Sequence, residues 1–396
     1  MSVLVIDGES NAGLAVTRSL GKKGIEVDVG ARTNLAPAFF SKYCKNSFVY
    51  ADPEKNVKNF VEDLEKILEK KEYEMLIPCS DFTILPISLQ RSRFEKKVLL
   101  ALPSNKLLRL AWSKSETLKI AKRIGIPIPE TFFVKKIEDL EKIKSKIKYP
   151  VVIKPDSSKL LFNNKLIDMQ VRFANNFEEL KQNFKKMFVG KKPPLIQETI
   201  IGYGLGFFAL CKRGKIKAFF MHRRLREVSV DRGASTLRES TWNDEIKDYG
   251  SRLLKKIKWN GVAMVEFRMD ERDKKPKLME LNGRFWNSLP LAIAAGVDFP
   301  YLLYKLFKGE SIDTTSKYKL GVKSRWFAGD TYRLIKILKG EYNKNLFQEP
   351  LAKTLKEFLK FWGKDFHDDI FALDDIKPAF ADFLNSSIKL LRKRKI

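Results

Sequence analysis

The stretch from Gly261 to Pro300, GVAMVEFRMDERDKKPKLMELNGRFWNSLPLAIAAGVDFP, limits most severely what this chain can fold into. Two β-like runs, VAMVEFRMD and KLMELNGRF, flank a polar connection containing Asp273, Lys274, Lys275 and Pro276, the pattern of an antiparallel hairpin with a longer loop. Side chains alternate along a strand, so Glu280 and Asn282 share one face, and Glu266 joins them if the chain turns back near Asp273. Two carboxylates and an amide oxygen on one sheet surface suit a hard divalent ion such as Mg²⁺, which prefers oxygen ligands and leaves room for phosphates. Arg284 follows on the same parity as a fixed cation with a planar donor fork. The competing reading is a half-buried hairpin whose polar residues face water. The apolar setting of Glu280, in LMEL, argues against it, because a solvated charge would gain little there.

The order Glu266, then Glu280-Leu-Asn282-Gly-Arg284, then an apolar helix ending AAGVDFP, resembles the catalytic end of the ATP-grasp superfamily. The resemblance is to its carbamoyl-phosphate-synthase-like and carboxylate–amine ligase branches, and it spans roughly residues 1–310 in order of elements. It implies that Glu266, Glu280 and Asn282 hold Mg²⁺ (or Mn²⁺) against the ATP phosphates, with Arg284 on phosphate or an acyl-phosphate intermediate. The same resemblance places Lys114, in a first helical turn, on the nucleotide phosphates.

Other segments fit that frame. Residues 1–50 begin with VLVIDG, a helix AGLAVTRSLGKKG and a strand IEVDVGA, a βαβ opening without the GxGxxG dinucleotide fingerprint. Ligands of such sheets sit beyond the carboxyl ends of strands, here Asp7-Gly8-Glu9 and Cys79-Ser80-Asp81, where ordinary turn chemistry is the competing reading. Ser113 and Glu116 form a capping-box pattern for a helix that stops at Gly125.

Tyr149-Pro-Val-Val-Ile-Lys-Pro reads as a buried strand ending in Lys154, a costly place for an ammonium unless an anion meets it. The resemblance supplies that anion as the ATP phosphates. It also implies that Gln197, Glu198, Thr199 and Ile200 face adenine, with Glu198 accepting from its amino group. Where relatives carry a glycine-rich phosphate lid, this chain has DSSKLLFNNKLIDM, without glycine but with Ser157, Ser158 and Lys159 as donors. A hairpin is expected across Arg213-Gly214, and its second strand ends in His222-Arg223-Arg224-Leu-Arg226. The stretch from Asp231 to Ser240 follows, read as a flexible loop. Arg224 with this loop is a candidate clamp for a carboxylate or phosphate, against a basic edge strand that discourages aggregation.

Composition bounds the alternatives. With 396 residues, 44% hydrophobic and 31% charged, the chain has material for two or three globular domains. Its three cysteines are unclustered, and its N-terminus reads as a first strand rather than a leader, so a reducing cytoplasm is expected. The net charge of +28 fits a lysine-rich surface or attraction to anions. No stable nucleic-acid partner is expected, for no aromatic-interleaved basic stripe is present. The basic tail after Leu390-Leu391 is a candidate for weak contact with an anionic membrane.

The expected architecture is α/β: an N-terminal parallel-sheet domain over 1–108, a two-lobed α+β ATP-grasp core over 109–315 and a helical C-terminal extension over 316–396. The expected activity is ATP-dependent activation of a small carboxylate, or bicarbonate, for attack by an amine. A non-catalytic ATP-binding protein and a basic nucleic-acid-binding protein are the alternatives.

Overall fold

The computed structural model describes residues 2–188, 192–229, 233–314, 317–341, 350–360, 363 and 365–393, with side chains as far as 385. The N-terminal part is a parallel five-stranded sheet. Its spatial order is Cys44–Val49, Glu26–Ala31, Ser2–Ile6, Tyr73–Pro78, Leu99–Leu100. Ser2–Ile6 is buried along its whole length, as a central parallel strand covered on both faces must be. The helix Asn11–Lys22 starts where the Ser10 hydroxyl accepts from Gly13 N.

A second, four-stranded antiparallel sheet (Arg172–Ala174, Val151–Lys154, Leu195–Glu198, Thr131–Phe132) forms a small lobe with the helix Phe177–Met187. It has its own core of Val151, Ile153, Leu180, Phe184 and Ile196.

The third sheet has seven strands: Lys275–Asn282, Gly261–Asp270, Gly204–Lys212, Lys215–Glu227, Ser235–Ser240, Lys323–Arg325 and Phe366–Asp368. The hairpin across Arg213-Gly214 closes with φ of 49° and 82° at those residues, a turn that fits the strand twist. Among the described residues three helices follow in the C-terminal part, Phe327–Leu338, Leu351–Phe358 and Lys377–Lys393, and the two short strands it contributes belong to the same sheet as the hairpin. The acidic segment around Asp369 and Asp375 pins this part in place. Asp369 Oδ2 accepts from Arg238 Nη2 at 2.6 Å and from Asn11 Nδ2 at 3.1 Å, while Asp375 pairs with Arg18 at 2.8 Å.

Among the described residues no helix is long and apolar enough to cross a membrane. The side chains of the basic tail, and with them the expected membrane contact, lie outside the described residues.

Candidate active site

Alternation builds the floor of the site. On the strand Gly261–Asp270, Ala263, Val265, Phe267 and Met269 enter one apolar core, which leaves Met264, Glu266 and Arg268 on the opposite face. The neighbouring strands obey the same rule: Phe219 and Met221 point to that core, His222 and Arg224 to the site. The hairpin register pairs Glu266 directly with Glu280, and Met264 with Asn282. Its turn is tighter than the sequence suggests, because Lys275 and Pro276 already belong to the second strand.

The floor faces a cavity of about 380 Å³. Lys114, Lys154, Glu198, Thr199, Ile200, Arg224, Glu266, Glu280, Asn282 and Arg284 all line it, so the structure brings ten of the eleven sequence-predicted site residues to one space. Gln197 is the exception: it is 1% exposed and spends its amide on Thr131 Oγ1 at 2.9 Å.

Each candidate metal ligand has a cation against it. Glu280 accepts from Lys114 Nζ at 3.2 Å and from Asn282 Nδ2 at 3.0 Å, and Glu266 from Arg224 Nη2 at 2.6 Å. Asn282 Oδ1 accepts from Arg284 Nη2 at 3.3 Å. Burial pushes both carboxyls up, but their neighbours separate them. Lys114, the Asn282 amide and Lys154 outweigh burial at Glu280 and hold it at about 2. At Glu266 burial, reinforced by the Glu280 charge, prevails over Arg224 and leaves it above the usual carboxylate range.

Lys154 is different. Among the described residues its ammonium has no hydrogen-bond or ion-pair partner. Burial lowers it, Glu280 pulls it back up and the Lys114 charge pushes it down again, to about 8. A half-buried cation left unpaired in a cavity is a place for an anion to complete.

Among the described residues no three His, Cys, Asp or Glu side chains assemble around a metal position. The donor set here is instead two cross-strand carboxylates and an amide, with cations beside them. That set fits a hard divalent ion that shares its charge with phosphates.

Three expectations change. Glu198 does not offer a free carboxylate: it accepts from Glu130 N at 2.9 Å, Arg272 Nη2 at 2.7 Å and Lys277 Nζ at 3.1 Å. The Arg224 fork is also spent, on Glu266 and on Glu227 Oε1 at 2.9 Å, so it organises carboxylates of the chain. The supposed loop after it is the strand Ser235–Ser240 over its described part, with Arg224 opposite Arg238, and Arg238 is buried on Asp369 rather than open to the cavity. Asp231 and Arg232 lie outside the described residues.

The loops at the parallel sheet are structural at Asp7, whose carboxylate accepts from Cys79 N, Ser80 N, the Ser80 hydroxyl and the Thr83 hydroxyl. Asp81 reaches the site instead, accepting from Arg284 Nε at 2.6 Å.

The glycine-free stretch folds as a hairpin, Lys159–Phe162 with Lys165–Asp168. Asn163 and Asn164 take the turn at φ of 46° and 60°, a conformation asparagine tolerates. The Asn164 carbonyl and amide oxygens accept from Val57 N at 2.9 Å and Lys58 N at 3.0 Å, first-turn donors of the helix Val57–Lys70 that no helical carbonyl could satisfy. Of the three candidate donors, Ser158 lines the cavity and accepts from Lys114 at 2.8 Å, whereas Lys159 pairs with Asp168 and sits over Phe82.

His222, Arg268 and Trp286 also line the cavity and were not singled out from sequence. The signal was available for two of them, since His222 and Arg268 lie two residues from Arg224 and Glu266 on the same strands; Trp286 lies beyond the strand end at Asn282, where alternation gives no guide.

A family profile described as "ATP-grasp in the biosynthetic pathway with Ter operon" matches residues 210–329. The carbamoyl phosphate synthase large chain of Pyrococcus furiosus is 26% identical over 281 residues, covering 67% of this chain and 24% of that one. The chain thus spans about a quarter of the length of this curated relative. Among solved structures, the biotin carboxylase domain of Hydrogenobacter thermophilus 2-oxoglutarate carboxylase, in complex with MgADP, ADP and bicarbonate, superposes with a TM-score of 0.65 at 17% identity. The match covers 81% of this chain and 73% of that one. N5-carboxyaminoimidazole synthetase from Staphylococcus aureus, complexed with ADP, gives a TM-score of 0.63 at 15% identity over 87% and 86% of the two chains. The fold is the ATP-grasp fold.

Proposed function

We propose that this ATP-grasp chain is an ATP-dependent ligase, which activates a small carboxylate or bicarbonate as an acyl phosphate for attack by an amine. The observation that carries the reading is Lys154, a half-buried cation without a partner among the described residues, in the cavity with the Glu266–Glu280 pair. Lys154 and Lys114 would bind the ATP phosphates. Backbone groups around Thr199 and Ile200 would face adenine, a role that does not need the committed Glu198 carboxylate. Glu266, Glu280 and Asn282 would hold Mg²⁺, which when bound neutralises phosphate charge and polarises the transferred phosphoryl group.

The chain's own part is electrostatic positioning. Arg224 holds Glu266 from the same face of the sheet, and Asp81 holds the Arg284 guanidinium at the cavity wall. Arg284, whose guanidinium also donates to Phe285 O and Asn282 Oδ1, would meet phosphate or the acyl phosphate from that wall, with Arg224 positioning the metal side. The hairpin Lys159–Asp168 would roof the site and limit water. The bicarbonate bound in the 2-oxoglutarate carboxylase domain sets the first acid to try.

The test is ADP release from MgATP against pooled carboxylates and amines, with MnATP as a second arm. Release that requires one member of each pool is expected. Tight ATP binding without release from any pool would replace the ligase by an ATP-binding protein.

A further inference from the structure

We propose that His222 and Trp286 form an acid-reading subsite at the floor of the cavity, for a small carboxylate that carries an O–H or N–H donor on the neighbouring atom. Its placement beside the phosphates rests on the ligase reading; its chemistry does not.

Both side chains are almost fully enclosed, at 1% and 2% exposed. Among the described residues neither ring nitrogen of His222 has a hydrogen-bond partner, nor does Trp286 Nε1, nor Arg224 Nε. All three residues line the same cavity. Buried polar atoms are nearly always satisfied, so four orphans on three residues that line one cavity point to a missing ligand.

The rings are held, not adrift. Phe208 meets the His222 ring edge-on at 4.7 Å and the Trp286 ring at 4.4 Å. Gly206 makes the space: a Cβ there would come within 3.0 Å of His222 Nε2 and 2.5 Å of Phe208 Cζ. The imidazole is neutral, because burial opposes its charge and Arg224 and Arg238 stand nearby.

A neutral imidazole presents one donor and one acceptor. With the Trp286 and Arg224 N–H groups, the subsite therefore offers three donors and one acceptor. A bare carboxylate satisfies donors and leaves the acceptor nitrogen unpaired. A hydroxy acid or amino acid completes all four. Sites that hydrogen-bond a ligand donor reject analogues lacking it far more strongly than apolar pockets reject a size change.

The chain contains only two histidines, so ¹⁵N-histidine labelling of the whole protein gives two imidazoles to follow, with His367 as internal control. Glycolate, glycine and acetate are titrated separately, with and without MgADP. Glycolate or glycine should move the His222 nitrogens saturably and leave His367 in place; which of them does so assigns hydroxyl or ammonium. Acetate should bind at least about ten-fold more weakly.

Trp286→Phe keeps the packing on Phe208, removes one donor and should weaken the response about ten-fold, and His222→Phe should abolish glycolate or glycine binding measured by calorimetry. Equal responses to all three acids, or no response of His222 to any, would overturn the proposal. Failure of MgADP to bind while the acid response persists would remove the nucleotide reading and leave the subsite standing.

Discussion

The two faces of the seven-stranded sheet are written by the same strands and differ in chemistry where the second meets the cavity; beyond it, Phe208, Leu210, Phe220 and Val262 make that face apolar too. On one, Phe207, Phe219, Met221, Val265, Phe267 and Leu281 pack with Ile246, Leu253 and Leu254 of the helix Asp244–Lys256. On the other, His222, Arg224, Glu266, Arg268 and Glu280 face a cavity. The first face needs only volume and apolarity. The second carries charges that desolvation would expel, and it keeps them by pairing: Arg224 with Glu266, Lys114 with Glu280. The contrast teaches that charge at inward positions of a buried alternation is retained for a ligand or for partners, and the pairing map separates the two. Among the described residues Lys154, opposite this face, has no hydrogen-bond or ion-pair partner, which is why the proposed function gives it the ligand.

The largest effect should come from the charged face. Glu280→Gln should reduce ADP formation by about 10²–10³-fold, the scale of losing one preorganised electrostatic group, with the circular dichroism spectrum unchanged. Full activity in that variant would erase the distinction between the faces. The apolar face should answer in stability. Phe267→Ala, at a residue 1% exposed, should cost about 3–5 kcal/mol in urea denaturation and spare the turnover of the folded fraction. Loss of turnover without loss of stability would mean that this face also serves catalysis.

A pH series sharpens the comparison. The free-state Lys154 ammonium titrates at about 8, below its ordinary 10.5, so its cost to folding is fully present below 8 and relieved as pH rises toward 10.5. Binding of phosphate needs the charged form. MgATP affinity should therefore fall about ten-fold per pH unit above 8, with proton uptake visible by calorimetry in two buffers. A flat affinity from pH 7 to 10 would exclude Lys154 from the phosphate site.

The smallest effect belongs to a place outside both faces: Asn164→Ala removes the oxygen that receives Lys58 N, at φ 60°, and should cost about 1 kcal/mol in stability. A loss of several kcal/mol there would make the roof hairpin part of the folding core.

The parallel sheet, the Gly261–Asn282 hairpin and the turn at Arg213-Gly214 were legible because period and turn chemistry are local. So was the convergence of Glu266, Glu280 and Asn282, since alternation fixes which face a strand residue takes, whereas Lys114, on a helix, and Lys154 were placed with them by the family resemblance. What was not legible is who pairs with whom. Glu198 looks idle in LIQE, but Arg272 and Lys277 arrive from the distant hairpin to claim it. Arg224 looks like a free fork, but a partner three residues along and another across the sheet occupy both arms. Pairing of side chains distant in sequence is a tertiary fact. The hairpin Lys159–Phe162 with Lys165–Asp168 was not legible for a local reason: Asn163 and Asn164 take the left-handed positions of its turn without glycine.

The central claim is that the space between Lys154 and Glu280 binds MgATP. Calorimetric titration of MgATP into the wild-type protein and into Lys154→Ala, at pH 7 where the ammonium is charged, tests it most directly. Weakening by about 1–3 kcal/mol, with the fold unchanged, is the predicted result. Equal affinity in the two proteins would contradict it.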